Sequence, residues 1–398
     1  MIAYNQEFIT NLALVKKAKQ WYARNFISDA QMAAIQKKYH TDFYNPNLFV
    51  KIGLFIFTSI AVSAALGFYT LFCFTASNGL ELSDSFPIFT CIFFALLCIG
   101  GLELFIRNKL IYRSGVDEAL LYSALGFILS GILFSIDDDS TNGMLVTSIL
   151  FLPFLIAASI RYIDTIASIF TVLCVYTLFF LFLLKLGDIA KLIMPFALMI
   201  LSAVIYFIAK KQKQKAFLLP WKNCLIAAEC IAMIVFYLSC NYYVIRESSI
   251  EFFDMELAIG EDIPLAFVFY FLTASIPLLY VFMGLKNKDK ISLWIGLLLV
   301  TIAVLTFKYY FSLGHPEITL TIAGIIMIFI AYFSIRYLKM DKHGITFKED
   351  IDEDNFLKTN AEALLVAQSF SQQVHTPQQP ENNLGGGNFG GAGSGEKY

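Results

Sequence analysis

Two carboxylates inside long apolar runs are the residues most able to do chemistry in this chain. Glu229 lies about seven residues into one run, in the stretch "NCLIAAECIAMIV", and Glu103 lies near the end of another, four residues before Arg107. Charged groups within apolar helices are rare and costly, and they commonly form binding or proton-transfer sites. The i,i+4 spacing of Glu103 and Arg107 favours a local salt bridge instead. Glu229 fits a pocket carboxylate and a structural carboxylate equally well.

The helical neighbours of Glu229 carry no opposite charge. Leu225, Ala232 and Met233 surround it at helical spacing. Its partner must therefore come from another helix, as a Tyr, Ser or Thr, or as a basic residue reaching in from the cytoplasmic side. Without such a partner the buried carboxylate would have to be protonated or hydrated. We therefore expect Glu229 to face the interior of a helical bundle beside a polar or basic group.

A third candidate is His315, one of four histidines, in the stretch "FSLGHPEITLTIAG". Gly314 interrupts the preceding run, and Pro316 suits the first turn of a helix, which needs no backbone N–H. Glu317 in that turn would face the positive end of the helix dipole. Helix initiation explains Gly314, Pro316 and Glu317 without any function. For His315 itself, a contact with a proton or a ligand at the outer membrane surface is the alternative.

The sequence contains none of the common catalytic or cofactor motifs. We find no P-loop, glycine-rich dinucleotide motif, nucleophile elbow or zinc-protease motif. The seven cysteines form no C-x-x-C pair, so reduced and buried thiols are the expected state. We therefore predict no enzymatic activity, no cofactor and no metal site.

The composition indicates the kind of element that carries these residues. Hydrophobic residues make up 58% of the 398, charged residues only 15%, and the mean hydropathy is +0.67. A soluble domain has about 45–50% apolar and about 25% charged residues. The net charge of −2 gives no reason to expect a nucleic acid partner. The expected fold is all-α, a polytopic helical bundle in a lipid bilayer.

Ten apolar stretches are long enough to cross a membrane as helices, which takes roughly 20 residues each. They lie at about 50–74, 86–106, 117–136, 143–161, 164–184, 191–209, 223–243, 264–285, 291–309 and 318–338. The division between the fourth and the fifth depends only on the short stretch "SIRYIDT". No cleavable signal peptide is expected, because the first 45 residues are charged and amphipathic.

Basic residues alternate between the segments that connect these stretches. Of the 29 Lys and Arg residues, all but Lys185, Lys191, Arg246 and Lys308 fall on one side. Cytoplasmic loops carry the excess of Lys and Arg, so the pattern predicts an inner membrane protein with both termini in the cytoplasm. Residues 246–263 are then the main outer loop. They form either a short interfacial helix or a lid or ligand-binding loop.

The two ends of the chain lie outside the bilayer in this interpretation. Residues 1–47 read as a cytoplasmic helical hairpin, in which Ser28 and Gln31 have the spacing of a capping box. Residues 48–340 are the ten-span domain, and 341–376 hold an acidic segment and a short amphipathic helix. Residues 377–398 are rich in glycine, and we expect them to be disordered. The hairpin or this tail is the expected site of a cytoplasmic protein partner, although the sequence indicates no oligomeric state.

The hairpin "WYARNFISDAQMAAIQKKY" resembles bacterial predicted-membrane-protein families of unknown function. The resemblance covers about 60 residues and rests on Trp21, Ile27, Ser28, Gln31 and Ile35, while Asn25-Phe26 replaces the usual glycine of the turn. It implies a bacterial inner membrane protein and no particular activity.

Two functions from different classes fit these features. The first is a non-enzymatic membrane scaffold or regulator, whose soluble ends bind partners. The alternative is a secondary transporter with a site near Glu229, its spans divided five and five as in inverted repeats. A wet polar cavity around Glu229 would favour transport, and a dry packed bundle would favour the scaffold.

Overall fold

A computed structural model describes residues 2–310, apart from short gaps, and seven single residues between 321 and 336. The gaps are 24–25, 41–42, 45, 78–82, 84, 110, 137, 139, 254–261 and 288. Of the predicted tenth span at 318–338, only the seven single residues between 321 and 336 are described, and each is helical. The segments predicted at 341–376 and 377–398 lie entirely outside them.

The described part of the chain is helical and contains no strand, only an isolated bridge between Tyr44 and Ile111. The expected all-α polytopic bundle is therefore confirmed. Its elements are α1 (Gln6–Ala23), α2 (Asp29–Lys38), α3 (Leu48–Ala76), α4 (Phe86–Lys109), α5 (Val116–Ile136), α6 (Thr141–Tyr162), α7 (Thr165–Leu184), α8 (Asp188–Lys213), the 3₁₀ helix η1 (Ala216–Trp221), α9 (Lys222–Leu238), α10 (Tyr242–Phe253), α11 (Ala266–Asn287) and α12 (Lys290–Tyr310).

Nine of the helices in this part are long and apolar enough to cross a membrane, and each overlaps one predicted span. α3 shows why lipid must surround them. It is apolar along its 29 residues, yet none of them is buried, and Phe68 is 73% exposed. Soluble proteins rarely expose an apolar surface of this extent to water.

The seventh span ends earlier than predicted, at Leu238 rather than at residue 243. The chain turns there because Asn241 is fully buried and forms side-chain hydrogen bonds on both sides of the turn. Its amide donates to the Tyr237 hydroxyl at 2.9 Å and to the Thr306 hydroxyl at 3.1 Å, and its oxygen accepts from the Val244 N–H at 3.3 Å. A new helix, α10, then replaces the start of the predicted outer loop.

Four pairs of adjacent helices pack closely as hairpins: α4–α5, α6–α7, α8–α9 and α11–α12. The uncertain division in "SIRYIDT" is a real turn, since Ile163 has a left-handed backbone (φ 53°) and Asp164 caps α7. In α11–α12 two glycines allow close approach. A Cβ on Gly284 would lie 2.6 Å from the Leu293 nitrogen, and one on Gly296 would lie 2.8 Å from the Val281 nitrogen.

The N-terminal hairpin forms as predicted and packs on one end of the bundle. Ser28 caps α2, and both hydrogen bonds of the capping box with Gln31 are present. The Ala3 N–H donates to the Arg161 carbonyl at 2.9 Å. Tyr4 joins a core cluster formed by α1, α4, α5, α6 and α7. The hairpin therefore belongs to the bundle rather than to a separate domain.

This end also holds the turns of the helical hairpins. The Trp221 indole of η1 donates to the Ile160 carbonyl of α6 at 3.1 Å. The Tyr122 hydroxyl of α5 donates to Asp164 at 3.0 Å. Because these turns carry the lysines and arginines grouped by the sequence pattern, we name it the basic end. The other end, where α10 lies, is the acidic end.

Candidate functional site

The reversal from α8 through η1 into α9 brings Lys213 to Glu229. Lys210, Lys211 and Lys213 occupy the last turn of α8, where the helix dipole favours positive charge. η1 then returns the chain, and α9 begins at Lys222. Glu229 lies two turns into α9 and faces back toward the last turn of α8.

Glu229 is fully buried and forms an ion pair with Lys213. The Lys213 Nζ lies 2.5 Å from the Glu229 Oε2, and the Lys213 side chain is 22% exposed while that of Glu229 is 0% exposed. We expected Glu229 to lie beside a polar or basic group of another helix, and the structure places the basic Lys213 of α8 there. The other oxygen, Oε1, is buried and has no hydrogen-bond partner in the described part of the chain.

Within the described residues, the carboxylate of this pair is buried and the lysine is partly exposed. Glu229 has no contact with solvent, whereas the partly exposed Lys213 connects the pair to the surface of the basic end. A buried carboxylate remains charged only when a close partner compensates for the lost hydration. The pair can therefore stabilise the α8–α9 hairpin, and its unpartnered oxygen can accept a hydrogen bond from a further donor.

Glu103 forms a second charged cluster at the basic end, with a partner that the sequence did not indicate. The Arg161 Nε donates to the Glu103 Oε1 at 2.7 Å, and the Tyr162 hydroxyl donates to the same oxygen at 2.9 Å. The predicted i,i+4 ion pair with Arg107 is also present, with its Nε 3.9 Å from the Glu103 Oε2, and the Arg107 side chain is 74% exposed. The cluster thus joins α4 to α6. The only feature of the sequence that could have indicated this contact is Arg161, a basic residue in the very short connection between the fourth and fifth spans.

A polar cluster lies beneath the N-terminal segment. Asp117 is 3% exposed and accepts from the Arg113 N–H at 2.7 Å and the Ser114 N–H at 2.9 Å. The Tyr4 hydroxyl donates to it at 3.3 Å. Burial, with the Asp117 carboxylate beside it, raises the pKa of Tyr4 above its usual value. Lys51 pairs with the neighbouring Glu118 at 2.6 Å. The N-terminus is therefore fixed to the bundle by specific polar contacts.

The outer side of the N-terminal hairpin exposes an apolar and basic surface. Leu14, Lys17 and Trp21 share one face of α1 at spacings of three and four residues. The Lys17 Nζ lies 5.5 Å from the Trp21 ring centroid. The Phe26 N–H donates to the Trp21 carbonyl at 3.0 Å, and the Phe26 side chain is 66% exposed. We call these four residues the hairpin patch. Large exposed aromatics beside a cation are typical of interaction surfaces.

The acidic end holds a buried hydrogen-bond network that the sequence did not predict. Besides the Asn241 turn, the Tyr242 hydroxyl donates to Asp262 at 2.6 Å. Tyr242 and Tyr270 stack with centroids 4.1 Å apart, and the Tyr242 N–H donates to the Thr273 hydroxyl at 3.0 Å. These contacts fix α10 against α11. The available signal was the run of polar residues that ends the seventh apolar stretch.

His315 and Glu317 lie outside the described residues, so their interpretation as a helix start or a surface contact stays a prediction. No group of three or more metal-ligating side chains occurs within the described part. Comparisons with protein-family models, curated proteins and solved structures gave no match. The residues themselves are therefore the basis for any functional proposal.

Proposed function

We propose that this is a multi-pass protein of a bacterial inner membrane, with both termini in the cytoplasm, that acts without catalysis as a scaffold or regulator. The excess of Lys and Arg at the basic end supports the orientation, because cytoplasmic loops carry such residues. The resemblance of the hairpin residues Trp21, Ser28 and Gln31 to bacterial membrane families supports the location.

The hairpin patch is the observation that carries the scaffold proposal. Leu14 is 42% and Trp21 41% exposed, although α1 also carries the buried residues Ile9 and Ala18. The N-terminal segment thus packs on the bundle while the hairpin patch stays exposed. A pre-organised aromatic surface binds a partner with little loss of conformational entropy. The proposed partner is a cytoplasmic protein with an apolar groove and an acidic rim that complements Lys17.

Photo-crosslinking in whole cells tests this proposal. A photoreactive amino acid at Leu14 should give one discrete protein adduct, and Trp21→Ser or Phe26→Ser should abolish it. The same amino acid at Gln36, exposed on α2, is the matched control and should give none. If the Leu14 adduct contains only lipid, or survives both substitutions, the patch does not dock a protein.

Cysteine labelling tests the orientation. The seven native cysteines are buried or partly buried, so their reaction with a membrane-impermeant reagent should be weak. Glu251 in α10 and Lys215 before η1 are both exposed. A cysteine at position 251 should react from outside in intact cells, and one at position 215 should react only after permeabilisation. The opposite pattern would invert the orientation.

A secondary transporter is the second candidate, favoured by the unpartnered Oε1 of Glu229. Two observations weaken it. Glu229 is dry, and the close helix pairs differ between the proposed halves within the described residues. In the first half, spans 1–5, the close pairs are spans two and three and spans four and five. In the second half, the close pairs are its first and second spans and its third and fourth spans. Loss of proton-coupled uptake in Glu229→Gln vesicles, with normal expression, would favour transport.

A further inference from the structure

A cavity of about 210 Å³ lies among α8, α9, α11 and α12. Along α8 it extends from Ser202 to Lys210, which is about 12 Å at 1.5 Å per residue. Its walls are largely apolar and include Phe207, Met233 and Met283. The volume is below the roughly 300–1,000 Å³ of typical small-molecule pockets. It therefore suits a narrow, flexible apolar chain better than a bulky ligand.

The side of this cavity opens where the helices would face lipid. Phe207 on α8 is 67% exposed and Met283 on α11 is 45% exposed, and both line the opening. Both residues lie within helices long and apolar enough to cross the membrane. A chain could therefore enter sideways from the bilayer, without crossing a polar surface.

The end of the cavity nearest the basic end is polar. Lys210, Asn287 and Ser292 line it there. The Lys210 Nζ donates to the Tyr206 hydroxyl at 2.7 Å, and no ion pair in the described part of the chain includes Lys210. The two described acids near Lys210 are Glu229 and Asp289. Glu229 is paired with Lys213, and Asp289 accepts hydrogen bonds from the Ile291 N–H and the Ser292 hydroxyl.

We propose that this cavity binds an anionic phospholipid of the bilayer, with one acyl chain between α8 and α11 and its phosphate at Lys210. The two ends of the cavity match the two parts of such a lipid. The apolar walls reach about a third of the way into a hydrocarbon core of about 30 Å. The ammonium group lies at the end where phosphates of the nearer leaflet are found, and basic pockets between spans bind lipid headgroups in this way.

Native mass spectrometry of the purified full chain tests the site, with phosphatidylglycerol and phosphatidylcholine of equal chain length as probes. One phosphatidylglycerol should bind in preference to phosphatidylcholine. Lys210→Gln should weaken it about fivefold, as expected for one lysine beside anionic lipid. Lys211→Gln removes the adjacent, exposed lysine and should leave binding unchanged.

A second variant tests the acyl chain separately. Ala203 lines the cavity, so Ala203→Phe should block binding while Lys210 remains, and gel filtration checks that each variant is folded. Phosphatidylglycerol with a photoreactive acyl chain should label Phe207 or Met283. Equal binding of phosphatidylcholine, equal weakening by Lys211→Gln, unchanged binding in Ala203→Phe, or displacement by an equimolar free fatty acid would each overturn the proposal. The proposal would also be overturned if a photoreactive residue at position 207 formed crosslinks only with this protein and none with lipid.

Discussion

Removing the positive charge from the Lys213–Glu229 pair should destabilise the protein strongly. Glu229 is 0% exposed, and its only partnered oxygen lies 2.5 Å from the Lys213 Nζ. Lys213→Met would leave a fully buried carboxylate without its ion-pair partner, because Oε1 has no hydrogen-bond partner in the described residues. Breaking a buried ion pair on one side typically costs about 3–5 kcal/mol. We expect a loss of that size in the free energy of unfolding.

The matched variants separate the ion pair from simple packing. Glu229→Leu should cost less than Lys213→Met, because the partly exposed lysine can move its ammonium group to water. The double variant Lys213→Met/Glu229→Leu removes both charges, and it should recover most of the loss, since apolar replacements of buried pairs are often neutral or stabilising. The three variants form a double-mutant cycle with the natural chain.

Titration with a denaturing detergent in mixed micelles measures the free energy of unfolding for each variant. The cycle should give a coupling energy above about 1.5 kcal/mol, in the upper part of the range for contacting residues. If the two single effects simply add, or if Lys213→Met costs less than about 1 kcal/mol, the carboxylate is not the dry, charged group inferred here. Lys222→Met, at an exposed lysine of the same end, should change stability by less than about 0.5 kcal/mol.

Three further predictions follow from the packing and the polar clusters. Gly284→Ala should lower the free energy of unfolding by about 1–3 kcal/mol in the same titration, because its Cβ would overlap the backbone of α12. Gly53→Ala, with open space around it, should lower it little. Equal effects of the two substitutions would contradict this prediction. Above about pH 10 an unfolded tyrosine loses its proton, while burial raises the pKa of the folded Tyr4. Docking of the N-terminal segment should therefore be complete below that pH and weaken as the pH rises further. Proteolysis of the segment should increase at this higher pH. The same increase in a Tyr4→Phe variant would show that Tyr4 is not the cause. Arg161→Gln should lower the free energy of unfolding by about 1.5–3 kcal/mol, the range for charged hydrogen bonds, and the exposed Arg107→Gln by less than about 0.5 kcal/mol. The reverse order would show that Arg107 is the stronger partner of Glu103.

The fold class and the position of the spans were readable from the sequence. A membrane helix needs roughly 20 apolar residues in a row, and this requirement is local, so hydropathy located all nine of the described spans. The capping box of Ser28 and Gln31 was equally local, and its hydrogen bonds are present. Basic residues grouped the turns correctly at one end, because their distribution follows the sidedness of the membrane rather than the packing of helices.

Only the tertiary structure decided which polar residues meet. Local spacing placed Arg107 beside Glu103, and that ion pair is present, but only the bundle brings the closer Arg161 to it from α6, 58 positions along the chain. The position of Glu229 in an apolar run indicated that it needs a partner. The reversal of α8 into α9 determined that this partner is Lys213. Contacts between helices depend on their crossing and rotation, which packing fixes. The composition of a single helix therefore does not determine which residues of other helices contact it.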